Sequence, residues 1–107
     1  MAEKVRGIRK MKIYIAGKIT NDENYKEKFA RAEKTIKERV PDVSVLNPAA
    51  LPERMTRADY MRICFAMIES CDNVFYLPDS AESDGAKLEL AYCEYIGKPA
   101  FLLKIGE

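Results

Sequence analysis

Glu89 is the residue of this sequence best placed to do chemistry. It lies about one turn inside a helical pattern that opens at Ser83-Asp84-Gly85, and Leu88, Leu90 and Ala91 surround it with apolar neighbours. A carboxylate kept in such company needs a hydrogen-bond partner or a task. Tyr14, in a β-rich run near the start of the chain, could supply that bond. Each residue also has a plain alternative: an acid near a helix start is stabilised by the helix dipole, and tyrosine is an ordinary strand former. The same helix start presents free backbone N–H groups, which favour an anion such as a phosphate. The chain contains no histidine, so any proton transfer falls to carboxylates, tyrosine or lysine.

The elements that would position these groups follow from periodicity. Four β-rich runs, Lys12 to Ala16, Val43 to Leu46, Asn73 to Leu77 and Ala100 to Leu103, alternate with helical patterns. That alternation predicts βαβ units in a small open parallel sheet of about four strands, an α/β fold with helices on both faces. The first helix is expected from Asp22 to Arg39, because Tyr25, Phe29, Ala32 and Ile36 step by helical intervals. Its outer faces carry Glu27 with Arg31, Glu33 with Lys37 and Lys34 with Glu38, the pattern of a solvated surface. Thr56-Arg57-Ala58-Asp59 has the form of a capping box and opens a second helix to Cys71. The third runs from Gly85 to Ile96 and stops at Gly97, two residues before Pro99. In a sheet of this kind ligands bind beyond the carboxyl ends of the strands, which singles out Gly17 and Lys18, Asn47, and the loop from Asp79 through Ser83, Asp84 and Gly85 as substrate-binding residues.

Composition bounds the rest. At 107 residues the chain holds one domain, residues 11–107, behind a basic tail at residues 1–10. Lysine and arginine number 18 against 17 acidic residues, so no overall field draws the protein to nucleic acid or membrane. Cys64, Cys71 and Cys93 lack metal spacing and fit buried, reduced thiols in a cytoplasmic protein. No secretory signal or membrane span is expected, nor any metal or cofactor. The second helix is apolar on several sides, with Met61, Phe65 and Ile68 on one stripe, which predicts a homodimer or larger self-assembly through that surface.

Taken in order, Tyr14-Ile15-Ala16-Gly17, Cys71-Asp72 opening a strand, Ser83-x-Gly85-x-x-x-Glu89 followed by Ala91, and Gly97-Lys98-Pro99 resemble the nucleoside 2-deoxyribosyltransferase superfamily over residues 11–103. Small phage and bacterial members are the most similar. The resemblance implies a flavodoxin-like or Rossmann-like sheet and a nucleoside or nucleotide ligand. It also implies a glutamate, here Glu89, that attacks C1′ of a deoxynucleoside and displaces the base, positioned by a first-strand tyrosine, here Tyr14. Ser83 stands where relatives that hydrolyse deoxynucleoside 5′-monophosphates have serine and nucleoside transferases have aspartate; Lys18 could pair with the phosphate, and Asp84 could return a carboxylate to the pocket. Cys64 stands where members often carry an aspartate that contacts the base, which leaves Asp79 and Asp84 as the remaining proton donors. The expected activity is cleavage of the N-glycosidic bond by hydrolysis or base transfer; the alternative is a non-catalytic nucleotide-binding module on the same fold.

Overall fold

The computed structural model describes residues 10–105; apart from Lys10, the basic tail lies outside them. Strand β1 (Lys12–Ala16) occupies the interior because its side chains alternate between two apolar faces. Ile13 and Ile15 point one way, Tyr14 and Ala16 the other, and all four are buried. It is flanked by β2 (Ser44–Leu46) and β3 (Asn73–Tyr76), and β4 (Ala100–Leu102) pairs with β3. The order is β2-β1-β3-β4 and every pairing is parallel, with Tyr14 opposite Leu46 on one side and Val74 on the other.

Helix α1 (Tyr25–Arg39) buries Phe29, Ala32 and Ile36 against Ile13, Ile15, Leu77 and Leu103. Each large apolar side chain removed from water in this way contributes roughly 1.5–3 kcal/mol. The helix begins at Tyr25 rather than Asp22. The Asp22 carboxylate accepts the N–H of Asn24 at 2.9 Å and closes a turn just after Asn21, whose φ is 64°. On its outer face Glu33 and Lys37 form the expected i,i+4 pair at 2.8 Å.

Helices α2 (Arg57–Ser70) and α3 (Asp84–Ile96) cover the opposite face, where Cys64, Ile68 and Cys93 meet Tyr14, Ala16 and Val74. This division follows from strand order. The chain steps outward from β1 to β2, then crosses back to β3 and onward to β4, and right-handed crossovers put the helices of the two directions on opposite faces. The capping box at α2 is formed, with the Asp59 N–H donating to Thr56 Oγ1 at 3.0 Å and the Thr56 N–H to Asp59 Oδ2 at 3.4 Å. Gly97 ends α3 in the left-handed region at φ 75°, as its position before Lys98-Pro99 predicts.

The wide apolar surface of α2 divides between two neighbours. Ile68 and Cys64 are sealed against the sheet, whereas Phe65 stacks on Tyr92 of α3 with ring centroids 4.3 Å apart. Among the described residues no helix is long and apolar enough to cross a membrane.

Candidate functional site

Tyr14 is the middle residue of the central strand, so alternation alone turns its ring toward α2 and α3. Glu89 lies on the inward stripe of α3 with Ala86 and Cys93, three residues before and four after it. The two meet: the Tyr14 hydroxyl donates to Glu89 Oε1 at 3.1 Å. Glu89 is 6% exposed and Tyr14 is fully buried.

Burial dominates the electrostatics. It pushes the Glu89 carboxyl up to about 7, against hydrogen bonding from Tyr14 and Cys64 that favours the charged form. Burial, and then the charge of Glu89, hold the Tyr14 phenol well above its ordinary range. The Cys64 thiol, which adjoins both groups, is pushed up to about 11 for the same two reasons. The result is one carboxyl that exchanges between acid and base near neutral pH, beside two groups that keep their protons. Such a carboxyl can act as a nucleophile or carry a proton.

The other expected residues divide. Ser83 caps α3, its Oγ accepting the Ala86 N–H at 3.1 Å, and its own N–H reaches the Ser80 carbonyl at 3.2 Å. Asp84 and Gly85 follow in the first turn, at the mouth of the helix. Gly85 lies under α2, where an added Cβ would stand 3.3 Å from Met61 Cε. Gly17 is required by packing, since a Cβ there would come within 2.9 Å of Leu77 Cδ1 and 3.0 Å of Phe29 Cζ. Asn47 is occupied internally. Its Oδ1 accepts the Ala49 N–H and its Nδ2 donates to Glu33 Oε1, both at 2.9 Å.

Asp79 is drawn toward α1. Its Oδ1 accepts the Lys18 N–H at 3.1 Å, and its Oδ2 pairs with Lys28. Lys28 also pairs with Asp22 and donates to the Lys18 carbonyl at 2.9 Å. Burial pulls the Lys28 ammonium down, but the two carboxylates outweigh it and hold the group above its ordinary range. Thus Lys18 and Asp79 are brought together, on the side of the sheet opposite Tyr14 and Glu89. A shallow cleft of about 210 Å³ lies there, lined by Lys28, Arg31, Leu77, Pro78, Asp79 and Ile105.

Sequence reasoning missed two participants. Lys28 carries no local signal, because its partners lie six and 51 residues away. Cys64 was visible only as an unusual residue at its position, and nothing in the sequence places its thiol against Glu89. Among the described residues no cluster of three or more His, Cys, Asp or Glu side chains could hold a metal ion.

A parallel sheet of order β2-β1-β3-β4 defines a doubly wound α/β protein whose strand order reverses between β1 and β3, with the hydrogen-bonded Tyr14 and Glu89 buried beside that point. The chain belongs to the family described as a domain of unknown function, DUF4406, whose profile matches residues 11–101. No curated protein matches the sequence. Among solved structures, it is similar to the 2-deoxyribosyltransferase of Bacillus psychrosaccharolyticus, with a TM-score of 0.68 and 24% identity, covering 90% of this chain and 74% of that one. It is also similar to the 2-deoxyribosyltransferase of Leishmania mexicana, with a TM-score of 0.66 and 23% identity, covering 87% of this chain. The chain spans 63% of the Leishmania protein, less than two thirds. These likenesses establish a shared fold.

Proposed function

We propose that this protein cleaves the N-glycosidic bond of 2′-deoxyribonucleosides or their 5′-monophosphates, with Glu89 as nucleophile. The observation that carries the reading is the Tyr14 to Glu89 hydrogen bond, buried at the central strand of a fold shared with 2-deoxyribosyltransferases. In this mechanism a Glu89 carboxylate oxygen attacks C1′, the bond from C1′ to the base nitrogen breaks, and its electron pair leaves with the base. Positive charge developing on the sugar is stabilised by the carboxylate and then trapped as a glycosyl ester. Water or a second base attacks C1′ in turn and releases Glu89, giving hydrolysis or base transfer respectively. Tyr14 keeps its proton throughout and holds the carboxylate in line.

For a 5′-monophosphate the mouth of α3 at Asp84 and Gly85 supplies backbone N–H groups, with Ser83 as the neutral neighbour; Lys18, held with Asp79 on the other side of the sheet, does not serve as its counter-charge. A second reading, a nucleotide-binding module without turnover, is favoured by Cys64. A thiol that keeps its proton up to about 11 is a poor acid for a departing base. Self-association belongs to the same proposal, on a shifted surface: of the expected stripe Met61, Phe65 and Ile68, Ile68 is fully buried against the sheet and cannot face a partner, whereas Phe65 and Tyr92 are half-buried and Leu88 and Tyr95 are exposed on α3 beside them, an apolar surface suited to a second copy. Sedimentation tests that part, and a monomer at micromolar concentration contradicts it.

The activity is tested by incubating the protein with each deoxynucleoside and its 5′-monophosphate and measuring free base by chromatography. Release that vanishes in Glu89→Ala and Glu89→Gln is the expected result. Binding without release supports the second reading, and equal rates for nucleosides and monophosphates refute the role given to Ser83 and the start of α3.

A further inference from the structure

We propose that Lys28 is a positioning residue: joined to Asp79 across the strand-order reversal, it fixes how far the segments leaving β1 and β3 open, and through them how α3 sets Glu89 against Tyr14. The inference deepens, and rests on, the reading of Glu89 as the reacting group. β1 and β3 are neighbours, yet the helices that follow them, α1 and α3, lie on opposite faces of the sheet. Their exits therefore diverge, and the crevice between such exits is where ligands of doubly wound sheets bind.

The backbone ladder between the two strands runs out to the Leu77 N–H, which donates to the Ala16 carbonyl at 2.8 Å. Past that point side chains continue the pairing. Asp79 Oδ1 accepts the Lys18 N–H at 3.1 Å, Asp79 Oδ2 pairs with Lys28, and Lys28 donates to the Lys18 carbonyl at 2.9 Å. Both backbone polar groups of Lys18 are thus tied to the β3 exit, one directly and one through Lys28. An ammonium has three protons, and Asp22, Asp79 and the Lys18 carbonyl accept one each. Lys28 has spent its donors on the protein, so its part is to hold the frame and not to grip a ligand. Its side chain is 18% exposed, and ion pairs partly withdrawn from water are screened little. From Asp79 the restraint passes into α3: the Ser83 N–H donates to the Ser80 carbonyl at 3.2 Å, and the Ala86 N–H to Ser83 Oγ at 3.1 Å. Glu89 follows Ala86 by three residues on the same buried stripe.

The test reads Glu89 directly, by its side-chain carboxyl 13C resonance as a function of pH, in the wild type, Lys28→Met, the milder Lys28→Gln and Asp22→Asn, each held well below its melting temperature. The expected wild-type midpoint is about 7. Loosening the frame lets water reach the carboxyl, so Lys28→Met makes Glu89 a stronger acid by roughly threefold to tenfold, and Lys28→Gln moves it the same way by less. Loss of a positive charge alone makes a carboxyl a weaker acid, so the sign of the shift separates an opened crevice from a missing charge. Asp22→Asn cuts the one Lys28 bond that does not close the crevice and keeps the wild-type midpoint. A merely structural Lys28 lowers stability in urea and leaves the Glu89 midpoint where it was. A midpoint unmoved or raised in both Lys28 variants, or moved as far in Asp22→Asn as in Lys28→Met, overturns the proposal. None of these readouts needs a substrate, so failure to release base refutes the proposed activity without deciding this point, and the reverse holds equally.

Discussion

Replacing Glu89 with glutamine should stabilise the protein at alkaline pH and leave it nearly unchanged in acid. The native carboxyl sits at about 7 against an ordinary 4.5. Between those values the folded chain retains a proton that the unfolded chain has lost, so wild-type stability falls as pH rises through that window. A tenfold change in proton affinity is worth about 1.4 kcal/mol, so the full loss above pH 7 amounts to about 3 kcal/mol. Glutamine accepts the Tyr14 hydroxyl but never ionises. Urea unfolding of wild type and Glu89→Gln at pH 5, 6, 7 and 8 isolates this one group, because the other titrating residues are common to both. Asp22, Glu53 and Asp59 are lowered by hydrogen bonding to their partners. Burial raises Glu33, but Lys37 and Asn47 outweigh it and leave that carboxyl lowered too. All four act in the opposite sense to Glu89, adding stability that disappears in acid. The difference between the two proteins should be small at pH 5 and open to about 3 kcal/mol at pH 8, with a melting temperature higher by roughly 10 to 20 °C in the variant. A difference that stays constant across the series refutes the claim that Glu89 titrates in a buried site.

Base release, on the proposed activity, should rise with pH through about 7 as Glu89 ionises, and Tyr14→Phe should shift that rise upward and lower the plateau by roughly tenfold to a hundredfold, read from rates between pH 5 and 9. Gly17→Ala should cost about 1–3 kcal/mol in urea unfolding, because the new methyl meets Leu77 and Phe29 inside van der Waals distance. The Ser80 hydroxyl is buried without a hydrogen-bond partner, so Ser80→Ala should raise stability by about 1 kcal/mol, visible as a melting temperature higher by several degrees.

What could be foreseen in the chain was local. The helical stripe of Phe29, Ala32 and Ile36, the Thr56 to Asp59 capping box and the Gly97 stop each depend on residues within a turn or two, and each stands where its spacing places it. Strand types were equally legible, though Val43, Leu77 and Leu103 fall just beyond the strand ends; Leu77 and Leu103 still donate their N–H to the Ala16 and Tyr76 carbonyls of the neighbouring strands, both at 2.8 Å. The Tyr14 to Glu89 contact spans 75 residues; the residue types made the bond possible and the family resemblance singled it out, because no periodicity relates positions so far apart. The partners of Asn47 and Asp79 escaped for a related reason. A polar loop residue announces its hydrogen-bonding capacity, but whether ligand or protein satisfies it depends on which distant side chain the topology brings alongside. Glu33 and Lys28 answered first.

Lys28 gives that last point a wider meaning. One ammonium ties the segment leaving β1 to the segment leaving β3, through Asp22, the Lys18 carbonyl and Asp79. Two stretches that would otherwise sample many arrangements surrender that freedom when the chain folds, not when a visitor arrives. On the proposed activity, a ligand reaching this rim would meet a frame already set, with little further ordering left to oppose its binding.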